Sequence, residues 1–329
     1  MASFLHSLKT AICFFELQQQ RILLAISGGA DSTALLRGML SVRDELQIEL
    51  YAAHLNHNLR GSASMEDAAW LETTCARLDV RLIVGSKDVA AFAGSRSLGI
   101  EEASRQMRYD FLEQTAISKK CSHIAVAHTA DDQIETILHH ILRGTGIAGL
   151  RGMPASRSLD SGCVLIRPLL DCSREDVEIF LRELGQDNRD DATNRESDQT
   201  RNRIRNSLLP MLRRDYNPQV GEALCRLGRQ ADDVQQLLNS LAGELLERAV
   251  LDANEQICRL DLNILSGQPR HLLRECFAQL WQRQNWHRKQ MGFAEWDCLA
   301  ELVSAGGPVM LPDGIEARRR GSLLVLRRL

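Results

Sequence analysis

The sequence predicts an α/β protein: a parallel sheet covered by helices, followed by a smaller, mostly helical domain. Three observations predict it. Residues 21–142 alternate between short apolar runs and segments with helical spacing, the pattern of βαβ units. Polar or glycine-rich clusters follow the apolar runs, where parallel sheets bind ligands. Past Pro218 the texture becomes long and helical, with few breakers.

The elements follow in order. Ile22–Ile26 is a short apolar run ending in a glycine-rich turn, and Ala30–Leu40 reads as a helix. Ile48–His54 is a second strand and Met65–Leu78 a helix, with a third strand at Arg81–Val84. Glu101–Ile117 is helical, His123–Ala127 a fourth strand and Asp131–Leu142 a helix. Ser173 can cap a further helix, with Asp176 three residues on and Val177, Phe180, Leu181 and Leu184 on one apolar face. Gly185 ends it. Beyond, Glu222–Val250 and Arg270–Gln284 are helical, and Pro312-Asp313-Gly314 turns between strand-like pieces at Val309–Leu311 and Leu323–Leu326. A boundary near 215–220 gives domains of residues 1–217 and 218–329; at 329 residues the chain exceeds what one core usually serves.

Composition excludes several classes. No apolar run reaches the roughly 18 residues of a membrane span, and the start MASFLHSLKTAICFFELQQQ lacks the layout of a secretory signal. Nine cysteines with no CxxC pair read as free thiols of a reducing cytoplasm and argue against structural zinc. The net charge of −3 argues against a uniformly basic nucleic-acid binder. Charge is unevenly placed, however: no acid lies between Asp198 and Asp215, where Arg201, Arg203, Arg205, Arg213 and Arg214 fall. Lysines are only Lys9, Lys87, Lys119, Lys120 and Lys289, and arginine-favouring codons account for most of that bias but not for the acid-free window.

The strongest chemical motif is Ser27-Gly28-Gly29-Ala30-Asp31-Ser32-Thr33, between a strand and a helix. Glycines let the backbone approach a ligand, and N–H groups at the helix start point at an anion. A carboxylate beside phosphates repels them unless a cation intervenes, so Asp31 implies Mg²⁺ on a nucleotide phosphate. The Walker spacing and its lysine are absent. Four further clusters follow. His54-Leu55-Asn56-His57-Asn58-Leu59-Arg60 reads as a polar loop beside a nucleotide rather than a zinc site, since no third ligand is near. In Glu101–Tyr109, Arg105 and Arg108 share a helical face that could meet phosphates, or could pair with Glu101 and Glu102. In Ala127–Thr136, His128, Asp132 and Glu135 fall at i, i+4 and i+7; they could hold a metal or an ammonium group. Arg143–Met153 is a glycine-rich loop, followed by Arg167-Pro168-Leu169-Leu170, Asp191-Ala192-Thr193-Asn194 and Arg201-Asn202-Arg203-Ile204-Arg205-Asn206. Arginines alternating with amides fit phosphate oxygens.

The order SGGxDS resembles the pyrophosphatase-loop ATPases, which cleave ATP between its α- and β-phosphates and adenylate a carbonyl oxygen. Together with HxNHxLR, SRxxRY, AHxxDDQxET, RGTGxxGLxGM, RPLL, DxTN and RNRIRxxLLPxL, from about residue 20 to 213, the set resembles the tRNA(Ile)-lysidine synthetase family. The resemblance implies a Rossmann-like sheet of adenine-nucleotide α-hydrolase type in residues 1–217 and a helical domain contributing to tRNA binding in 218–329. Longer members carry another C-terminal domain, for which this chain looks too short. It implies a cytoplasmic ligase that uses ATP and Mg²⁺ to join L-lysine to C2 of the wobble cytidine of an isoleucine tRNA with a CAU anticodon, through an adenylated cytidine. The implied partners are that tRNA and lysine, with no membrane and with a homodimer as one option for assembly. Ser27, Gly28, Gly29, Ala30, Asp31 and Ser32 would hold ATP, with Asp31 on the metal. Arg108 would neutralise charge at the α-phosphate. His128, Asp132 and Glu135 would hold lysine, and Arg201, Arg203 and Arg205 would meet the adenylate or tRNA phosphates. The rival readings are a tRNA thiolase of the same superfamily, for which the missing CxxC speaks poorly, and a non-catalytic nucleotide-binding module; pyrophosphate release dependent on both ATP and tRNA discriminates them.

Overall fold

A computed structural model describes residues 2–57, 62–189 and 199–329. The chain forms two compact units, up to Arg229 and from Gln230. The division falls within one long helix.

The first unit opens with α1 (Ala2–Phe14). Its Phe4, Leu8 and Ile12 recur every fourth residue and are all buried, an amphipathic stripe that the short apolar patches of the sequence understate. There follow β1 (Arg21–Ala25), α2 (Ala30–Val42), β2 (Glu49–Asn56), α3 (Ser62–Arg77), β3 (Arg81–Ser86), α4 (Val89–Arg96), α5 (Ile100–Lys119), β4 (His123–Ala125) and α6 (Ala130–Leu142). The short α7 (Ile147–Leu150) leads to the hairpin β5 (Ser156–Ser158) and β6 (Val164–Ile166), then α8 (Arg174–Glu183). A helical run closes the unit: α9 (Gln199–Arg203), a π-helical turn at Ile204–Leu208, and α10 (Leu209–Asp215). Then α11 (Val220–Ala249) spans the division.

The sheet order is β3-β2-β1-β4-β6-β5, parallel except for the antiparallel edge strand β5. The central strands are apolar because both faces are covered. One core layer packs Phe4, Leu8, Ile12, Leu35, Met39, Val177 and Phe180 over Ile22 and Leu24, with the rings of Phe4 and Phe180 stacked at 4.2 Å. The other face buries Leu23, Ile124 and Leu165 beneath Leu112 and Ala116 of α5. Gly38 of α2 is there for space: a Cβ would stand 2.6 Å from Leu8 Cδ2. The predicted cap of α8 forms, Ser173 Oγ accepting from the Asp176 N–H at 3.0 Å.

The second unit is richer in strands than expected. Besides the end of α11 it contains β7 (Val250–Ala253), β8 (Ile257–Asp261), α12 (Leu262–Leu265), α13 (Arg270–Arg283), α14 (Phe293–Leu302), β9 (Val309–Leu311), β10 (Ile315–Arg320) and β11 (Leu323–Arg328). The strands form an antiparallel sheet ordered β7-β8-β11-β10-β9. β10, with sequence Ile-Glu-Ala-Arg-Arg-Arg, buries only Ile315 and Ala317, so its alternation is too short to read as a strand. Trp281 centres the core, edge-on to Trp286 and Trp296 at 4.9 and 5.3 Å. No helix among the described residues is long and apolar enough to cross a membrane.

Candidate active site

The strand order fixes where a ligand can enter. From β1 the chain winds outward to β2 and β3, then returns to lay β4 on the other side of β1. The loops leaving β1 and β4 therefore diverge, opening a crevice at the carboxyl ends of the strands. Those loops carry Ser27–Gly29 and Val126–Thr129.

The first loop is held by one hydroxyl. Ser32 Oγ accepts from the Ser27 and Gly28 N–H groups at 3.1 and 3.2 Å and donates to the Gly29 carbonyl at 3.0 Å. Thr33 Oγ1 donates to the Gly28 carbonyl at 3.2 Å. Gly28 has φ +92°, a conformation an L side chain resists. Gly29 caps α2 with no side chain on its first-turn N–H groups, which leaves those donors for an anion. Ser32 thus shapes the loop from beneath.

Asp31 lies in the first turn of α2. Its Oδ1 is buried without a hydrogen-bond partner among the described residues. Burial first, then the neighbouring Asp132 and Asp131 carboxylates, raise its pKa to about 6, against the opposing pull of Arg174 and Arg205. An unpaired buried carboxylate oxygen beside other acids and a phosphate-ready loop suits a hard cation, which takes one or two carboxylates and completes its shell with phosphate oxygens and water. Among the described residues no cluster of three or more ligating side chains would hold a metal alone. The residues therefore fit a metal that arrives with the nucleotide.

The acidic wall continues on α6. Asp132 Oδ2 accepts from the Thr129 N–H at 2.9 Å and the Thr129 hydroxyl at 3.3 Å, capping the helix. Glu135, buried, takes both Nε and Nη2 of Arg205, the latter at 3.0 Å. Arg205 Nη2 also lies 3.7 Å from Asp132 Oδ1. Burial raises the pKa of Glu135 while Arg205 pulls it down. Asp131 points elsewhere, accepting from the Arg174 N–H at 2.8 Å.

His128 corrects the expected grouping. It precedes the Thr129 cap of α6, so only Asp132 and Glu135 share a helical face. Arg167 Nε donates to His128 Nδ1 at 3.1 Å. A guanidinium cannot accept, so Nδ1 is bare and the ring proton sits on Nε2. Burial, then Arg167, Arg108, Arg105 and Arg201, lower the pKa of His128 to about 3. The imidazole is thus a neutral donor on a positive wall. Arg108 is exposed, and partial desolvation lowers its pKa. Arg201 lies 3.9 Å from Glu101, and Arg203 is exposed.

A profile of the PP-loop domain family matches residues 3–212. A tRNA(Ile)-lysidine synthase of Rhodopirellula baltica is 33% identical over 315 residues, covering 86% of this chain and 79% of that protein. The chain belongs to the tRNA(Ile)-lysidine synthase family. Relatives of the same name from Geobacillus kaustophilus and Porphyromonas gingivalis are 34% and 41% identical, over 80% and 65% of this chain but only 56% and 45% of their own lengths. The chain thus spans about half the length of these relatives. The U34-tRNA thiolase NcsA of Methanococcus maripaludis, with its [4Fe-4S] cluster, superposes with TM-score 0.60 at 14% identity, over 70% of this chain and 79% of that one. That likeness shows the fold, the adenine-nucleotide α-hydrolase type, and no more.

One of the remaining motifs supports another. Gln133 donates to the Arg151 and Met153 carbonyls at 2.8 and 3.2 Å and accepts from the Met153 N–H at 2.7 Å, tying the glycine-rich loop to α6. Gly152 has φ +68°, and a Cβ there would stand 2.5 Å from Gln133 Oε1. Asn58–Arg60 and Asp191–Asn194 lie outside the described residues. Sequence reasoning undervalued Arg167, Tyr109 and Gln133, and missed Arg157 and Arg174. Arg167 carried a usable signal: a charged residue directly after an apolar strand, at the carboxyl edge where sites form. Arg157 sits in no motif, and only the sheet pairing brings it to the site.

Proposed function

We propose that this chain makes lysidine: it joins L-lysine to C2 of the wobble cytidine of a CAU-anticodon isoleucine tRNA, with consumption of ATP. The observation that carries this reading is the cation already seated between Asp132 and Glu135. An acidic recess that holds the Arg205 guanidinium beside the nucleotide loop suits a free amino acid with two amines. A thiolase needs no such recess, and neither does a non-catalytic nucleotide module.

The loop from Ser27 to Ser32 orients the ATP phosphates by its free N–H groups, and Arg108 neutralises charge near the α-phosphate. Mg²⁺ on Asp31, when bound, would offset the charge of the departing pyrophosphate. The cytidine O2 attacks the α-phosphate, forming an O–P bond as the bond to pyrophosphate breaks. Lysine is held by Asp132 and Glu135. Its ε-ammonium must lose a proton before attack, and Glu135, whose pKa burial raises, can take it once Arg205 has left. The amine then forms the C2–N bond, and the C2–O bond breaks with release of AMP. Neutral His128 offers its Nε2–H to an anionic oxygen. Arg201, Arg203 and the released Arg205 meet adenylate or tRNA phosphates, and the second unit adds contacts to the tRNA.

The test is incubation with ATP, Mg²⁺, labelled lysine and the transcript of that tRNA, followed by nucleoside analysis. Lysidine in the digest is expected. Asp132→Ala should keep tRNA-dependent pyrophosphate release while losing lysine transfer. If both fall in proportion, the recess is not the lysine site; if the wild type transfers no lysine, the reading fails.

A further inference from the structure

Three guanidiniums converge on one ring. The Cζ atoms of Arg105, Arg108 and Arg157 lie 5.4, 5.8 and 5.4 Å from the centroid of Tyr109. They come from two elements, α5 and the edge strand β5. Arg167 joins them from the end of β6; buried, it donates to His128 Nδ1 at 3.1 Å and to the Pro154 carbonyl at 2.6 Å. No carboxylate among the described residues lies within 4.0 Å of Arg105, Arg108 or Arg157, although the first turn of α5 carries Glu101 and Glu102. Glu101 faces Arg201 instead.

Such a gathering of like charges is unfavourable unless an anion completes it. The ring explains how it persists in the free protein. A guanidinium within about 6 Å of a ring centroid is attracted by the ring's quadrupole, and its N–H groups form a planar fork. Those forks suit phosphate oxygens. The position decides which phosphates. β5 stands three strands from β1 in the sheet order, a lateral distance of about 14 Å. The basic wall therefore begins beside the reacting centre at His128 and runs outward, away from the loop that would seat ATP. The phosphates of a nucleotide anchored after β1 stay at that loop, whereas a polymer of phosphates can continue along the wall to Arg157.

We infer that Arg105 and Arg157 about Tyr109, with Arg167 beside them, form a phosphodiester-binding site for the RNA strand flanking the reacting base, next to the Arg108 that serves the nucleotide. The inference rests on the proposed tRNA reaction but names residues and a face that the reaction alone does not. Arg157 is the probe of choice, being exposed and outside the catalytic machinery.

The experiment measures binding of the isoleucine CAU anticodon stem-loop to wild type, Arg157→Ala, Arg105→Ala, Tyr109→Phe and Tyr109→Ala across a range of KCl, without ATP or lysine. Each arginine removal should weaken binding about three- to tenfold and shallow the log–log salt dependence by about one. Tyr109→Phe should retain binding and Tyr109→Ala lose it, with melting temperatures near wild type for the arginine variants. ATP affinity, measured separately, should not change. Loss of ATP affinity instead of RNA affinity would assign the site to nucleotide phosphates and overturn the inference. So would an unchanged salt slope, or a wild type that binds no RNA. Lysidine formed with an unchanged slope would leave the function standing and remove this site; a shallower slope in a protein that makes no lysidine would do the reverse.

Discussion

Asp31 is held in a state the folded chain resists. Its pKa is about 6 against an ordinary 3.8, so the folded protein favours the protonated carboxyl and the ionised form costs stability. Below both values the cost is absent. It grows as pH rises and is complete above about pH 7, where the difference corresponds to about 3 kcal/mol at most, at 1.36 kcal/mol per pH unit. At pH 5 about half remains, and at pH 4 about 0.5 kcal/mol. Asp31→Asn keeps the shape and removes the charge. At pH 8 without nucleotide the variant should therefore melt higher than wild type, by about 6–12 °C at most for a unit of this size. The gap should close towards pH 4. Saturating Mg²⁺ and ATP should raise the wild-type melting temperature more than the variant's, and pyrophosphate release should collapse in the variant. Thermal unfolding by circular dichroism from pH 4 to 8.5 reads all but the last. Equal melting temperatures at pH 8, or a lower one for the variant, would refute the argument that an unpaired, crowded carboxylate awaits a cation.

Glu135→Ala should destabilise the fold by about 2 kcal/mol, since it strands the half-exposed Arg205 guanidinium; adding Arg205→Met should recover most of that loss in urea unfolding, and strict additivity of the two changes would count against the pairing. His128 should show no titration between pH 5 and 8 in nitrogen-detected NMR and should carry its proton on Nε2, while Arg167→Met should move its pKa up towards the ordinary value; a wild-type midpoint near 6.5 would contradict the basic wall. Gly152→Ala, strained at φ +68° and pressed on Gln133, should cost about 2–4 kcal/mol. Gly94→Ala, whose Cβ meets nothing, should cost nothing or stabilise by up to about 1 kcal/mol, and equal effects at the two glycines would sink the account of the loop.

Much of the first unit is legible in the sequence because its signals are local. β1, β2 and β4 are near-continuous apolar runs of strand length, as strands buried on both faces must be. Ser173 and Asp176 announce the start of α8 by a capping pair three residues apart, and their hydrogen bonds form. What stayed hidden is marginal or non-local. β5 is Ser-Arg-Ser, exposed throughout; only hydrogen bonding to β6 makes it a strand. The π-helical turn at Ile204–Leu208 has no compositional signature, yet it lies in the run that carries Arg205 to Glu135.

The site divides along the same line. The nucleotide loop is a contiguous motif whose glycines, hydroxyls and carboxylate act within six residues of one another, so sequence order and spatial order coincide. The substrate walls are assembled from afar. Glu135 and Arg205 are 70 residues apart in the chain, and Tyr109 meets arginines from α5 and from β5. Helical periodicity placed His128 with Asp132 and Glu135 because it assumes the helix has already begun, but His128 lies just before the Thr129 cap and the helix starts at Ala130. That shift separates a neutral imidazole on the basic wall from two carboxylates on the acidic one. The carboxyl ends of β1 and β4 carry both signs of charge, acidic at Asp132 and Glu135 and basic around His128, as the proposed joining of a cationic amine to a base within a polyanion would require. Parallel strand order supplies the opening; the residues that polarise it come from helices, from the loops after β4 and β6 and from the edge strand β5, and their convergence exists only in the folded chain.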